Sequence, residues 1–314
     1  MKLTFHQFEV LTCIEREKEK LTQRRIADLT NLSLGTVNKS ISELIGSDCI
    51  DKEMNITKNG YKILEPYRVK RAIFLAAGFG SRLVPITLNT PKPLISVNGV
   101  RIIDTLLDAV VAADIKEIII VTGYLEEQFS VLTRKYPNIK FYFNEKYNEA
   151  NNILSAYIVR NMYANSYVLE SDLYLYNPKL IRKYEYQSNF LGKYVERTDD
   201  WCLEVKNGYI TKEKVGGYNC YQMYGISYYT KEDAKKMVTD IEKVYNMPGG
   251  KEKYWEQVVL DVCKDNYKIA LRECHEGDII EIDTFNELKA IDKTYDVGAT
   301  SNSNVKKIKV NVKH

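Results

Sequence analysis

The chain has 314 residues, 45% of them hydrophobic, and a formal charge of +3. That is enough length for two domains and enough apolar content for a sizeable core, but too little charge for a chain built to coat nucleic acid or a membrane surface. No apolar run approaches the ~20 residues that span a bilayer, and Lys2 and Glu9 leave no room for the apolar core of a signal peptide, so a cytoplasmic protein is expected.

Residues 1–68 read as a small helical domain. Phe5, Phe8, Leu11 and Ile14 recur at helical spacing. Thr22 is placed to cap a second helix containing Ile26, Ala27 and Leu29. Ser33 is placed to cap a third, with Val37, Ile41 and Leu44 on one face. The short turn Asn31-Leu32-Ser33 between them has helix-turn-helix spacing. Ile50 to Ile56 predicts a small β wing, and Thr57 opens a further helix, so the segment resembles a winged helix-turn-helix domain.

From Arg71 strands and helices alternate. Ala72 to Ala76, Glu117 to Val121, Ile139 to Phe143 and Ser166 to Leu169 read as strands. Ile102, Ile103, Leu106, Leu107 and Val110 form a helical stripe, and 151–162 reads as a helix. This βαβ rhythm predicts an α/β fold with a Rossmann-like, mixed but mainly parallel sheet over 69–296. Cys202 to Tyr229 is β-rich, helices flank Met247 to Gly250, and a last strand, Asp278 to Ile282, precedes a helix from Phe285. Residues 297–314, with Ser301, Asn302, Ser303 and Asn304, predict a flexible tail. The six cysteines are scattered, with no CxxC pair, and are expected to be free thiols.

The chemistry starts where the first strand ends. Gly78 and Gly80 sit in Leu75-Ala76-Ala77-Gly78-Phe79-Gly80-Ser81-Arg82, and Pro85, Thr87 and Pro91-Lys92-Pro93-Leu94 follow. The third glycine of a dinucleotide fingerprint is replaced by Leu83, and no Gly-Lys-Ser/Thr closes a P-loop. What matches instead is the LAAGxGxRLxPxTxxxPKxL signature, so the chain resembles the nucleotidyltransferase superfamily that includes the sugar-1-phosphate nucleotidyltransferases. A nucleoside triphosphate carries about four negative charges, which must be offset before a second phosphate can approach. The resemblance implies that Arg82 holds the β/γ phosphates and that Lys92 reaches the α and incoming phosphates. Asp172 and Asp283 both follow strands, at the end of a parallel sheet where sites form. In the family these positions hold Mg²⁺. Glu281 shares a face with Asp283, and Glu170 with Asp172; Glu281 is expected to face the acceptor. Of the three histidines, His6, His275 and His314, none sits beside the motif, and the implied in-line attack of a phosphate oxygen on the α-phosphorus needs no general base.

Residues 71–292 further resemble the bacterial CTP:phosphocholine cytidylyltransferases. The matching pieces include Gly123-Tyr124, Asn144-Glu145-Lys146-Tyr147, Asn151-Asn152, Trp201, Gly225-Ile226-Ser227, Tyr254-Trp255-Glu256 and Glu281-Ile282-Asp283. The resemblance implies CTP and phosphocholine as substrates. A quaternary ammonium is held by aromatic faces and carboxylates, and Trp201, Tyr224, Tyr254, Trp255, Glu256 and Glu281 are the expected acceptor residues, with Asp199 and Asp200 adding negative charge. A primary-amine acceptor such as 2-aminoethylphosphonate suits the same set; a sugar phosphate prefers fewer aromatics. Gly123 and Asn152 join Leu75, Ala76 and Ala77 as base-recognition candidates, though Asn151 and Asn152 also suit a helix cap.

The winged helix leaves a second function open. Residues 1–71 hold 13 Lys/Arg and 10 Asp/Glu, and Ser33 to Leu44 holds one basic residue, Lys39. Phosphate-driven DNA affinity needs several cations, so DNA is a weaker expectation than packing, homodimerisation or partner contact. The alternative to an enzyme is a regulator that senses a nucleotide. The joint presence of Arg82, Lys92, Asp172 and Asp283 favours catalysis, because a sensor needs no metal pair.

Overall fold

The computed structural model describes residues 2–17 and 19–296; the predicted tail, 297–314, lies outside the described residues. The N-terminal helices form where the caps are. Helix α1 (Phe5–Arg16) opens on a capping box between Thr4 and Gln7. Helices α2 (Gln23–Thr30), α3 (Leu34–Gly46) and α4 (Lys58–Leu64) start at Thr22, Ser33 and Thr57, each side chain accepting an N–H from the first turn. Phe8, Leu11, Ile26, Val37, Ile41 and Leu44 close one core. The wing is narrower than expected, a single antiparallel bridge between Ile50 and Ile56. Phe5 lies outside the predicted buried stripe: it is 44% exposed and packs edge-on against Tyr186.

The remaining elements are β1 (Arg71–Ala76), the hairpin β2 (Ser96–Val97) and β3 (Val100–Arg101), α5 (Ile102–Ala112), β4 (Glu117–Thr122), β5 (Ile139–Phe143), α6 (Ile153–Ile158), β6 (Ser166–Glu170), β7 (Leu173–Leu175), β8 (Asn189–Lys206), β9 (Tyr209–Tyr229), α7 (Lys231–Asn246), β10 (Ala270–Glu273), β11 (Ile279–Glu281) and α8 (Phe285–Ile291). Seven strands form one sheet in the order β10-β8-β9-β6-β1-β4-β5. Strands β5, β4, β1 and β6 run parallel, and β9 joins antiparallel to β6. The sheet is therefore mixed, with a parallel centre.

The strand alternation assigns each face its core. Ala72, Phe74 and Ala76 of β1 face Leu106, Leu107 and Val110 of α5, whereas Ile73 and Leu75 face Met237, Ile241 and Val244 of α7. Full burial of each large side chain contributes about 1.5–3 kcal/mol, which is why both faces read as apolar runs. Helix α6 is shorter than the predicted 151–162 helix; a 3₁₀ turn, Arg160–Met162, completes that segment.

Between β7 and β8 the chain passes beneath the N-terminal helices. Tyr184 enters their core, and Tyr186 stacks on Tyr67 and donates to the Leu3 carbonyl at 3.1 Å. Glu185, between them, turns the other way to Arg272 at 2.8 Å and to Tyr167.

Candidate active site

The loop after β1 is shaped by its own residues. Gly80 has φ 69°, a conformation side chains disfavour, and an added Cβ would lie 3.2 Å from both Lys92 and Thr87. The buried Thr87 hydroxyl donates to the Gly80 carbonyl at 3.0 Å and fixes that turn. Leu83 then anchors the loop in a small core with Ile95, Val97, Ile102, Ile282 and Leu288, so the loop and the C-terminal carboxylates share one foundation.

Asp172 and Asp283, far apart in sequence, meet because β7 pairs antiparallel with β11, with Glu281 opposite Leu173. The Ile282 N–H donates to the Asp172 carbonyl at 3.3 Å. The Asp283 and Thr284 N–H groups both donate to Glu287 at 2.8 Å, part of the capping box that starts α8. The Lys92 ammonium lies 2.8 Å from Asp172 and 2.7 Å from Asp283, while Arg82 reaches the other oxygen of Asp283 at 2.8 Å. Burial works to lower the Lys92 value, but Asp172 and Asp283 outweigh it, and the ammonium is held above its ordinary range.

Glu281 joins this cluster. Carboxylate oxygens of Asp172, Glu281 and Asp283 all lie within 4.8 Å of one another, and Asp172 Oδ1 is buried without a hydrogen-bond partner. Burial, then Asp172 and Glu170, raise the Glu281 carboxyl well above its ordinary value. Three crowded hard-oxygen donors with one oxygen unsatisfied fit a divalent cation such as Mg²⁺.

These groups line one cleft of about 630 Å³. One wall carries Leu75, Ala76, Ala77, Gly78, Gly80 and Ser81, faced by Asn144, Tyr147, Asn151, Asn152 and Ser155. Asn152 does not cap α6; its side-chain oxygen accepts the Trp255 N–H at 2.8 Å and ties this wall to the far end. There Trp201 and Tyr254 meet edge to face, with centroids 5.7 Å apart. Glu256, 3% exposed, also lines the cleft, and its Oε2 has no partner. Burial, with Glu213 and Glu281 nearby, pushes its carboxyl up to about 8. Glu170 lies flat over Gly225, where an added Cβ would fall 2.2 Å from the Glu170 carboxylate.

Four expected residues lie elsewhere. Tyr224 alternates away from its cleft-lining neighbours Met223 and Gly225 and packs in the core on the opposite face. Trp255 is buried between Tyr163, Phe190 and Tyr229. Phe79 stacks edge-on against Tyr124, and Gly123 packs beneath Ala77 and Tyr147, behind the cleft wall. Two residues the sequence did not single out belong to the wall: Ser155, hydrogen-bonded to buried Asn144, and Ser171, which donates to the Leu75 carbonyl at 2.8 Å. Ser171 precedes Asp172 at a strand end, a position that could have flagged it.

A parallel-centred sheet with a glycine loop after its first strand, and cations facing paired carboxylates at the strand ends, defines a nucleotide-dependent transferase. The nucleotidyl transferase family model matches residues 71–181, and a winged helix-turn-helix DNA-binding model matches 6–51. The 2-aminoethylphosphonate cytidylyltransferase of Lancefieldella rimae is 34% identical over 228 residues, covering 71% of this chain and 92% of that protein. The choline-phosphate cytidylyltransferase of Streptococcus pneumoniae is 34% identical over 229 residues, covering 71% and 97%. The solved structure of CTP:phosphocholine cytidylyltransferase from Streptococcus pneumoniae superposes with a TM-score of 0.67, at 34% identity, covering 72% of this chain and 99% of that one. The chain belongs to the nucleotidyltransferase family, among the cytidylyltransferases that act on phosphorylated acceptors, and it carries an N-terminal winged helix.

Proposed function

We propose that the protein transfers a cytidylyl group from CTP to phosphocholine, releasing pyrophosphate. The observation that carries this reading is the Trp201–Tyr254 edge-to-face pair in the same cleft as the Lys92–Asp172–Asp283 cluster. Aromatic faces beside carboxylates suit a trimethylammonium, which has no N–H to donate. An acceptor phosphate oxygen attacks the α-phosphorus in line, and no general base is needed, because a phosphate is ionised near neutral pH. Arg82 and Lys92 exchange their carboxylate partners for phosphate oxygens. Asp172 and Asp283, with Glu281 beside them, would hold Mg²⁺, which supplies charge neutralisation when bound. Leu75, Ala76, Ala77, Gly78, Gly80 and Ser81, with Asn152, form the nucleotide wall.

A second acceptor, 2-aminoethylphosphonate, is favoured by one specific observation. Glu256 Oε2 is buried without a hydrogen-bond partner, and a primary ammonium has three N–H groups to donate to such an oxygen, which a trimethylammonium lacks. The test is pyrophosphate release from CTP and Mg²⁺ with phosphocholine, phosphoethanolamine, 2-aminoethylphosphonate and sugar phosphates compared by kcat/KM. Phosphocholine is expected to rank first; a sugar phosphate ranking first would overturn the cationic-acceptor reading.

We also propose that residues 1–68 form a separate domain used for packing, dimerisation or partner contact. The near-balanced charge of this segment supports that role over DNA binding. Salt-dependent affinity for duplex DNA, measured by gel shift, would reverse this order.

A further inference from the structure

Behind the acceptor end of the cleft sits a carboxylate that no substrate contact explains. Glu213 lies on β9 opposite Leu203, one step along the ribbon from the pair Val215–Trp201. Opposed residues share a face, as do residues two apart on one strand. Trp201 and Val215 line the cleft, and Leu203 is buried in the core with Trp255 and Val259. Glu213 is therefore aimed inward between cleft wall and core. Both of its carboxylate oxygens are sealed from solvent and neither has a hydrogen-bond partner. The nearby Lys253 ammonium leans instead on Asp261, at 3.4 Å. Burial, then Asp261, pushes the Glu213 carboxyl up to about 7.

An ionisable group buried this way costs stability unless something compensates it. Compensation is incomplete at the next carboxylate as well: Glu256 has the Asn152 side chain beside it, but its Oε2 is sealed and unpartnered, and Glu213 is among the groups that raise it. A second buried carboxylate near Glu256 disfavours its charge until a cation arrives beside it. Glu256 borders the cleft and Glu213 does not, so Glu213 acts through Glu256.

We infer that Glu213 is a specificity-determining positioning residue that makes the acceptor end of the cleft require a positively charged acceptor. This rests on the proposal that the acceptor is a phosphorylated or phosphonylated amine, but not on which amine it is. The negative charge of Glu213 adds to the attraction for any cation seated at Glu256 and does nothing for an uncharged acceptor of the same shape. It is thereby a device for rejecting neutral phosphates rather than for holding the phosphate itself.

The test compares charged acceptors with their uncharged isosteres, phosphocholine with 3,3-dimethylbutyl phosphate and 2-aminoethylphosphonate with propylphosphonate, in the full-length wild type and in Glu213→Gln. Wild type is expected to prefer the charged member, and Glu213→Gln to shrink that preference about 10-fold, the scale of one partly screened buried charge. The loss falls on the acceptor KM, with the CTP KM unchanged, and Glu213→Asp recovers part of the preference. A Glu213→Gln protein that melts cooperatively and keeps the wild-type charged-to-neutral ratio overturns the inference. A variant that weakens charged and neutral acceptors alike also overturns it, because that is the behaviour of a structural residue. If wild type itself uses neither charged acceptor, the underlying amine reading fails, and that result is visible before any variant is made.

Discussion

The two ends of the cleft balance charge in opposite ways. At the nucleotide end, each cation has its carboxylate: Lys92 bridges Asp172 and Asp283, and Arg82 takes the remaining Asp283 oxygen. At the acceptor end, Glu256 and Glu213 carry buried oxygens with no partner at all. The first end pairs its cations before any ligand arrives, leaving Asp172 Oδ1 unpartnered, and must exchange partners to bind phosphate. The second is left short of positive charge, as the proposed cationic acceptor requires. On the proposed function, polyanion binding then begins with a cost, and cation binding with a gain.

The largest test of this contrast removes the shared carboxylate. Asp283→Ala frees Arg82, leaves Lys92 paired with Asp172 alone and takes one donor from the cluster with Asp172 and Glu281. Turnover is expected to fall by about 10³-fold or more, the scale of losing charge stabilisation at a transferring phosphoryl group, with cooperative unfolding retained. Steady-state pyrophosphate release measures it. Near wild-type turnover would show that the nucleotide end does not need its balanced charges.

At the other end the expected loss is smaller and confined to one substrate. Tyr254→Ala removes the ring that meets Trp201 edge to face. The acceptor KM should rise about 10-fold, a cation–π contribution of roughly 1 kcal/mol or slightly more, with the CTP KM unchanged. An equal rise in both would mean that Tyr254 positions the nucleotide and that the two ends are not separate.

The nucleotide end was the more legible in the sequence, and the reason is physical. Its groups follow strand ends and loop turns, where spacing is fixed by the backbone; Gly80, Thr87, Arg82 and Lys92 sit in one short run. The parallel centre of the sheet was legible for the same reason, through the apolar runs of β1 and β4. The acceptor end depends on how β8 and β9 pair, and their register shifts several times between Phe190 and Val205. Period-two alternation then decides which tyrosines face the cleft, and sequence cannot set its phase across such shifts. That phase turns Tyr224 into the core rather than the cleft and hides Glu213 among charged neighbours. Trp255 adjoins two cleft residues, but the turn that exposes Tyr254 buries it.

The contrast also has a pH signature. The folded value of Glu256, about 8, stands above the ordinary 4.5. Between those values the folded protein holds a proton that the unfolded chain has lost, so Glu256 makes stability fall as pH rises through that window. Lys92 is raised from 10.5 by its paired carboxylates, so its contribution is fully present across the same window and is lost only at higher pH. Thermal melts without acceptor at pH 5.5, 7 and 8.5 should show wild type losing melting temperature relative to Glu256→Gln, by about 2–4 °C for each kcal/mol involved. Parallel curves for the two proteins would place the uncompensated charge elsewhere.

The smallest expected effect separates cleft from core within one strand. Tyr224 is 5% exposed and lies on the opposite face of the sheet from Met223 and Gly225, with its hydroxyl beside Lys193. Tyr224→Phe keeps the ring and removes only the hydroxyl, a change worth at most about 0.5–1.5 kcal/mol. The melting temperature should drop slightly, while both KM values and kcat stay at wild-type levels. A raised acceptor KM in this variant would turn the β9 register around and bring Tyr224 into the cleft. The aromatic corner would then hold three rings, and the preference for a quaternary over a primary ammonium would gain the support that Trp201 and Tyr254 give it only in part.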